Sequence, residues 1–319
     1  MKILVTGGAG FIGSHVVDGY VKAGHDVLVV DNLLSGKRSN INPPALFYEM
    51  DIRSPEMAEL IGRERPDVVN HHAAQISVPD SVSDPLLDAD INIKGLLNIL
   101  ESCARHKVGK IIFISSGGAI YGEAIEYPAS ENCLPRPLSP YAVSKYASEH
   151  YLAYYKHEYG LDFTTLRYAN IYGPRQIRHG EAGVVAIFMD NLLKGKPSTV
   201  YHFPEDDEGM ARDYCYVGDV VKANLAALDK GGGDFFNIGT GVGTKTLVLF
   251  KTIYEALKEV KPGISQDLAA PLFGRARQGD IPRSCLVLDK ARRTLGWTPE
   301  TGLKEGVRKV LGWRMKQPA

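Results

Sequence analysis

A strand that runs into a run of glycines and out again into a helix limits what this chain can fold into more than any other feature. Lys2-Ile-Leu-Val-Thr6 has the unbroken apolar character of a short buried strand, and Phe11 to Ala23 carries one apolar face at helical spacing. Between them lies Thr6-Gly-Gly-Ala-Gly-Phe-Ile-Gly13, which satisfies both Gly8-x-Gly10-x-x-Gly13 and Gly7-x-x-Gly10-x-x-Gly13. Glycines at those places allow a tight turn, let backbone N–H groups approach a pyrophosphate, and let helix and strand pack closely. A second strand, Asp26 to Val30, ends on Asp31, eighteen residues past Gly13. A carboxylate there accepts hydrogen bonds from a ribose diol and repels a 2′-phosphate. Glycine spacing alone is a weak signal, but strand, glycines, helix, strand and acid in register are a strong one. NAD is therefore expected over NADP, with Lys37 and Arg38 the nearby cations that argue the other way.

The alternation continues down the chain. Ala45 to Met50 reads as a third strand leading into Asp51-Ile52, where a side chain would meet an adenine. Asp67 to His71 reads as a fourth, followed by the small residues of His72-Ala-Ala-Gln-Ile-Ser-Val78, which leave room at a strand's carboxyl end for a cofactor. His71 and His72 are expected to pack against the sheet. Asp88 to Lys107 reads as one long helix and Lys110 to Ser115 as a fifth strand. Strands alternating with helices specify an α/β fold, a doubly wound parallel sheet covered on both faces. With 319 residues the chain has room for a second, smaller portion sharing the core. Lys+Arg and Asp+Glu are both 37, so nothing in the charge points to nucleic acid or an anionic membrane. No apolar run is long enough to span a bilayer, and the strand-first N-terminus has no signal-peptide layout. Cys103, Cys133, Cys215 and Cys285 lie 30, 82 and 70 residues apart, with no metal-ligand or redox pairing. Buried thiols in a reducing cytoplasm, and no metal, are the expectation.

Further on, Pro140-Tyr-Ala-Val-Ser-Lys145 puts a tyrosine and a lysine one helical turn apart on one face. A free phenol titrates near pH 10 and is a poor base at neutral pH. An ammonium about 4 Å away at an effective dielectric near 20 contributes roughly 4 kcal/mol, or about 3 pKa units, enough to make Tyr141 a proton acceptor. Ser115-Ser116 ends the fifth strand, and a hydroxyl at Ser116 would share the proton that Tyr141 removes.

Taken together, the glycine segment, Asp31-Asn32, Asp51-Ile52, Ala73-Ala74-Gln75, Ser115-Ser116 before Tyr121-Gly122, and Ser139-Pro-Tyr-x-x-x-Lys145 resemble the extended short-chain dehydrogenase/reductases. Within them the chain is similar to the UDP-glucose 4-epimerases and their nucleotide-sugar relatives. The resemblance runs on through Leu166-Arg-Tyr-Ala-Asn-Ile-Tyr-Gly-Pro174, Arg212-Asp213-Tyr214, Val217-Gly-Asp219, Phe236-Asn-Ile-Gly-Thr240, Arg277-Gln-Gly-Asp280 and Leu295-Gly-Trp297. It implies a cofactor site built from Gly7, Gly10, Phe11, Ile12, Asp31, Asn32, Ser35, Gly36, Asp51, Ile52, Ala73, Ala74, Gln75, Asn92, Ser115, Tyr141, Lys145 and Tyr168. It implies a general base at Tyr141, an electrostatic partner at Lys145 and a helping hydroxyl at Ser116. Counted back from Tyr121-Gly122 that hydroxyl position falls on Gly117, and counted from Tyr141 it falls on Ser116. The implied sugar-nucleotide site comprises Ser77, Ser116, Gly117, Tyr141, Asn170, Gly183, Val184, Val185, Tyr201, Arg212, Arg277, Asp280 and Ser284. Arg212 and Arg277 would clamp the diphosphate with their planar forks, Asp280 would hold the nucleotide ribose, and Tyr201 or Phe203 would stack on the uracil. The chain departs from its relatives at Tyr201-His-Phe-Pro-Glu-Asp-Asp-Glu-Gly209, where a short Gly-Asp-Gly turn is usual; the acidic run reads as a solvated loop.

The resemblance also implies the choice of chemistry. Related dehydratases carry Asp-Glu after the catalytic hydroxyl and decarboxylating relatives a Glu, whereas this chain has Gly117-Gly118. Return of the hydride, a 4-epimerisation of UDP-glucose and UDP-galactose with tightly held NAD, is the simplest outcome. Ser284 stands where glucose/galactose-limited relatives carry a bulky aromatic, so the N-acetylated pair is a further expected substrate. The alternatives are a UDP-glucuronate epimerase, a nucleotide-sugar dehydrogenase or decarboxylase, and a non-catalytic dinucleotide sensor. Residues 1–172, with returning segments at about 212–240, would hold NAD, and 173–211 with 241–319 the nucleotide sugar. A homodimer packed through Asp88–Lys107 and Tyr141–Tyr159 is expected on the same ground.

Overall fold

A computed structural model describes residues 1–177, 183–277 and 279–317. The first half alternates as expected: β1 (Lys2–Thr6), α1 (Phe11–Lys22), β2 (Asp26–Asp31), β3 (Leu46–Glu49), α2 (Glu56–Glu64) and β4 (Val68–His71). Then come α3 (Val78–Ser83), α4 (Pro85–Ala89), α5 (Gly95–His106), β5 (Lys110–Ser115), α6 (Gly117–Ile120), α7 (Pro140–Tyr159) and β6 (Asp162–Tyr168). The second half holds β7 (Asn170–Tyr172), α8 (Val184–Leu193), β8 (Thr199–His202), β9 (Ala211–Tyr216), α9 (Val217–Asp229), β10 (Asp234–Ile238) and β11 (Gly243–Lys245). It ends with α10 (Thr246–Val260), β12 (Leu272–Arg275), β13 (Arg283–Ser284), α11 (Asp289–Leu295) and α12 (Leu303–Arg314).

Seven parallel strands form the main sheet in the order β10-β6-β5-β4-β1-β2-β3. β5 is buried at every position, as a strand covered on both faces must be. One apolar cluster on the sheet joins Val16, Tyr20, Val29, Leu166 and Phe236. Another joins Leu4, Leu28, Met57, Leu100 and Phe113. The strand order reverses between β1 and β4, and the carboxyl ends of those two strands open the crevice where doubly wound sheets bind ligands. β10, from late in the sequence, closes the sheet beside β6.

The later strands form two small sheets over those carboxyl ends. β9 pairs with β11, β13 and β7, and β8 pairs with β12. A third apolar core, with Phe188, Val200, Phe250, Ile253 and Val310, holds them to α8, α10 and α12.

The helix expected over Asp88–Lys107 is interrupted. Asp88 and Ala89 end α4, and Asp90–Lys94 form a wide π turn before α5. That turn carries Asn92 inward: its amide donates to Gln75 O at 3.0 Å while its oxygen accepts from Gln75 N at 3.0 Å. The tertiary pairing, invisible to local periodicity, outweighs regular helix geometry here.

Candidate functional site

The glycine turn is built as a cradle. Gly7 has φ +69°, and a Cβ there would lie 2.7 Å from Ala73 N; a Cβ at Gly13 would lie 2.2 Å from Gly7 O. Gly10 caps α1 without a side chain, leaving the first-turn N–H groups around Phe11 and Ile12 facing the crevice between β1 and β4. At the end of β2, Asp31 is buried and accepts from Ala9 N at 3.0 Å and Leu33 N at 2.8 Å. Gly36 lies against that carboxylate, where a Cβ would come within 2.8 Å of Oδ1, so Ser35 and Gly36 fold over the turn. Arg38, a cation that a 2′-phosphate would need, is bound to Glu49 at 2.5 Å and stacks on Phe47. The cradle and the acid at the end of β2 fit NAD.

Beyond the cradle the predicted residues divide. Asn32 donates to Asp51 at 3.1 Å, and Arg53 bonds the same carboxylate through two nitrogens, holding it well below the usual carboxylate range. Ile52 packs in the core against Gly95, so only its backbone is left for an adenine. Ala73 is held by its N–H to Thr6 Oγ1 at 3.2 Å, and Ala74 and Gln75 continue that wall. The Ser77 hydroxyl accepts from Asp80 N as the cap of α3. Tyr168 lies in the core with its hydroxyl taken by Asn224 Nδ2 at 2.6 Å. His71 and His72 do pack at the sheet: His71 bonds Thr6 Oγ1 at 2.7 Å and stacks on Phe113.

α7 presents the tyrosine and lysine. Ser139 caps it by accepting from Ala142 N, Pro140 occupies its first turn, and Gly160 ends it with φ +69°. Ser115, the last residue of β5, and Ser116, the cap of α6, then separate by partner. Ser115 Oγ donates to Glu149 Oε1 at 2.6 Å, in a buried group that includes Arg167 and Tyr121. Ser116 is the one near enough to the Tyr141 phenol to lower its pKa. A side chain at Gly117 would meet Leu286 at 2.7 Å and Arg167 O at 3.1 Å, so of the two positions only Ser116 has room for a hydroxyl.

The electrostatics correct one expectation. The Lys145 ammonium donates to Ile114 O at 3.0 Å and sits 5.9 Å from the centre of the Tyr141 ring. At that reach it does not offset burial, which pushes the phenol up to about 12, while the nearby Ser116 hydroxyl pulls it down. Burial lowers Lys145 to about 8, and Asp88 opposes that.

The second portion brings Ser284 to Gly117 and sets Arg212 beside Ser284. Ser284 pairs in register with Arg212 across β13 and β9. Gly117, Tyr121, Tyr127, Arg283, Ser284 and Cys285 line a cleft of about 200 Å³. Asn170 Oδ1 faces Gly118, 3.5 Å from where a Cβ would stand. Arg212 is desolvated, which lowers its pKa, and its hydrogen bonds go to Ala211 O and Met210 Sδ. No carboxylate among the described residues forms an ion pair with it, which leaves a half-buried cation for an anion. Arg277 lies over the Tyr201 ring, 4.1 Å from its centre, and its backbone N–H is held by Asp280 at 2.8 Å. Gln278 of that motif lies outside the described residues. Gly183, with φ +84°, starts α8; Val184 follows, and Val185 is turned into the core. The acidic run is more than a solvated loop, since Asp206 pairs with Lys245. Sequence reasoning missed Arg53, Asp88, Tyr127 and Arg283, which carry no motif and are assembled by tertiary contacts.

A parallel sheet, a glycine cradle, and a serine–tyrosine–lysine set at the crevice define a dinucleotide-dependent enzyme of the short-chain type. Residues 3–239 match the family model described as NAD dependent epimerase/dehydratase. The putative UDP-glucose 4-epimerase of Methanocaldococcus jannaschii is 44% identical over 98% of this chain and 97% of its own length. The UDP-glucose 4-epimerase of Thermotoga maritima, solved with UDP-glucose, is 48% identical and superimposes with a TM-score of 0.92 over 99% of both chains. That of Thermus thermophilus, solved with NAD, is 45% identical with a TM-score of 0.90 over 99% of both. The chain belongs to the NAD-dependent epimerase/dehydratase family.

Proposed function

We propose that the protein is a UDP-hexose 4-epimerase that interconverts UDP-glucose and UDP-galactose, with UDP-N-acetylglucosamine and UDP-N-acetylgalactosamine as further substrates. The observation that carries this reading is the convergence of Ser116, Tyr141 and Lys145 at the end of β5, beside a Gly117-Gly118 turn that offers no acid for elimination. Bound NAD supplies the hydride acceptor at the sugar's C4 and the donor on return. Tyr141 takes the proton of the 4-hydroxyl through its contact with Ser116, so that removal of proton and hydride together leaves a 4-keto sugar. Lys145 adds positive charge on the same face of α7, which favours the ionised phenol although burial outweighs it. Arg212 and Arg277 hold the diphosphate while the keto sugar turns, and Tyr141 returns the proton after hydride arrives on the opposite face. Net oxidation is zero.

In this reading residues 1–172 and about 212–240 bind NAD, and 173–211 with 241–319 bind the nucleotide sugar. Ring stacking on uracil falls to Tyr201, already flanked by Arg277. The enzyme is a homodimer, with exposed Val82, Leu86, Val143, Tyr151 and Tyr154 on the adjoining faces of α3, α4 and α7 as its interface. It works in the cytoplasm, which its four free thiols suit. Incubation with UDP-galactose, UDP-N-acetylgalactosamine and UDP-galacturonate, followed by proton NMR of the products, tests the reading. The C4 epimers of the first two are expected; net NADH or a decarboxylated sugar would replace it with a dehydrogenase or decarboxylase.

A further inference from the structure

Asp88 is buried at 1% exposure, and no motif points to it. Its carboxylate is held by three side chains from three separate parts of the fold. Gln75 Nε2, on the segment after β4, donates to Oδ1 at 3.1 Å, and Asn92 Nδ2, on the π turn, donates to the same oxygen at 2.9 Å. Ser144 Oγ, on α7, donates to Oδ2 at 2.7 Å. Ser144 lies three residues after Tyr141 and immediately before Lys145. Among the described residues no cation forms an ion pair with Asp88. A buried carboxylate without a paired cation is costly unless its surroundings use it.

We propose that Asp88 is a positioning residue for the Tyr141–Lys145 pair, tying α7 to the crevice wall at Gln75 and supplying the anion against which Lys145 stays charged. The proposal rests on the epimerase reading for its kinetic arm only. The wall and the proton-transferring helix share one anchor, so the helix cannot shift without disturbing the Ser144 bond to the carboxylate that Gln75 and Asn92 also hold. The titratable groups facing Lys145 are Asp88, Tyr141 on its own helix, and His71 and His72 at the end of β4. Glu149, one turn further along α7, is committed to Arg167 and Ser115. Phe113 lies under the ammonium, 5.0 Å from Nζ. Both histidines are neutral at neutral pH, because burial lowers them, and Tyr141 is protonated, so Asp88 is the anion in this group. Its effect on Lys145 opposes the lowering by burial.

The test compares Asp88→Asn and Ser144→Ala in the full-length protein, each checked by circular dichroism. Two quantities are followed: the Lys145 titration, by the ¹³Cε shift in lysine-labelled protein assigned with Lys145→Arg, and the pH profile of epimerisation. Removing the anion disfavours the ammonium, so Asp88→Asn is expected to move the Lys145 midpoint down by about one pH unit or more. The alkaline limb of kcat moves with it, kcat at pH 7.5 falls about tenfold or more, and KM for the UDP-sugar changes less than about threefold. Ser144→Ala keeps the charge and cuts one tie, so its Lys145 midpoint stays in place while kcat falls about threefold or more. An unmoved Lys145 midpoint in folded Asp88→Asn overturns the electrostatic role. Unchanged kcat in Ser144→Ala overturns the positioning role, and decides the matter even where Asp88→Asn does not fold. A parent protein without epimerase activity sinks the functional reading instead, while the Lys145 titration still reports on Asp88.

Discussion

Single residues set the acid limit of this protein. His72 is half-buried, with its Nε2 shut off from solvent and without a hydrogen-bond partner, and desolvation lowers it to about 3 from an ordinary 6.5. Its folded-state pKa is depressed, so between pH 6.5 and about 3 the unfolded chain binds a proton that the folded chain refuses. Stability is therefore full above that window and is lost as pH falls through it, by about 1.4 kcal/mol per unit at most for one histidine. Thermal unfolding followed from pH 7 to pH 4 should show a falling Tm, and His72→Gln should flatten the fall; parallel curves would place the acid sensitivity elsewhere. Ser284 is the second residue-scale case. It stands on the cleft beside Gly117, so Ser284→Tyr should fill that space and cut turnover of UDP-N-acetylgalactosamine about tenfold or more relative to UDP-galactose. Equal losses on the two sugars would remove Ser284 as the determinant. Gly7, Asp31, Tyr141 and Lys145 were legible in the sequence because spacing along one strand, turn or helix fixes their relation. The direction of Lys145 was not, since its amine turns to Ile114 O on β5, a contact made only when the sheet assembles.

Among the elements, α7 is held by a buried ion pair more than by its own propensity. Glu149 meets Arg167 of β6 through both carboxylate oxygens at 2.5–3.0 Å, while Arg167 also lies over Phe235 and bonds Tyr121. Glu149→Ala would leave that guanidinium buried and unpaired, and should cost about 3–5 kcal/mol in chemical denaturation. A loss below about 1 kcal/mol would show that water or Tyr121 can replace the carboxylate. The boundaries of α7, β1, β2 and β5 follow from caps, glycines and apolar runs in the sequence. The break at Asp90–Lys94 does not, because the local pattern is helical throughout and only the Asn92–Gln75 pairing selects the wider turn.

On the scale of the molecule, one parallel sheet holds the crevice and the later strands bring Arg212, Ser284 and Asn170 over it. The alternation of strands and helices made the sheet legible, whereas the register that sets Ser284 beside Arg212 depends on pairing between distant segments. The apolar side chains left on α3, α4 and α7 belong to the same scale. A dimer burying about 800 Å² per partner through them should sediment as two chains, and Leu86→Glu combined with Tyr154→Glu should yield monomers. An unchanged dimer would move the interface to another face. If the hydride taken from C4 returns to the same carbon without exchange, a deuterium placed there follows it. UDP-galactose labelled with deuterium at C4 is converted and the UDP-glucose formed is analysed by NMR and mass spectrometry. Deuterium kept at C4 in the product, with no rise in absorbance at 340 nm, is the predicted result; deuterium lost to solvent, or NADH accumulating, would contradict the account.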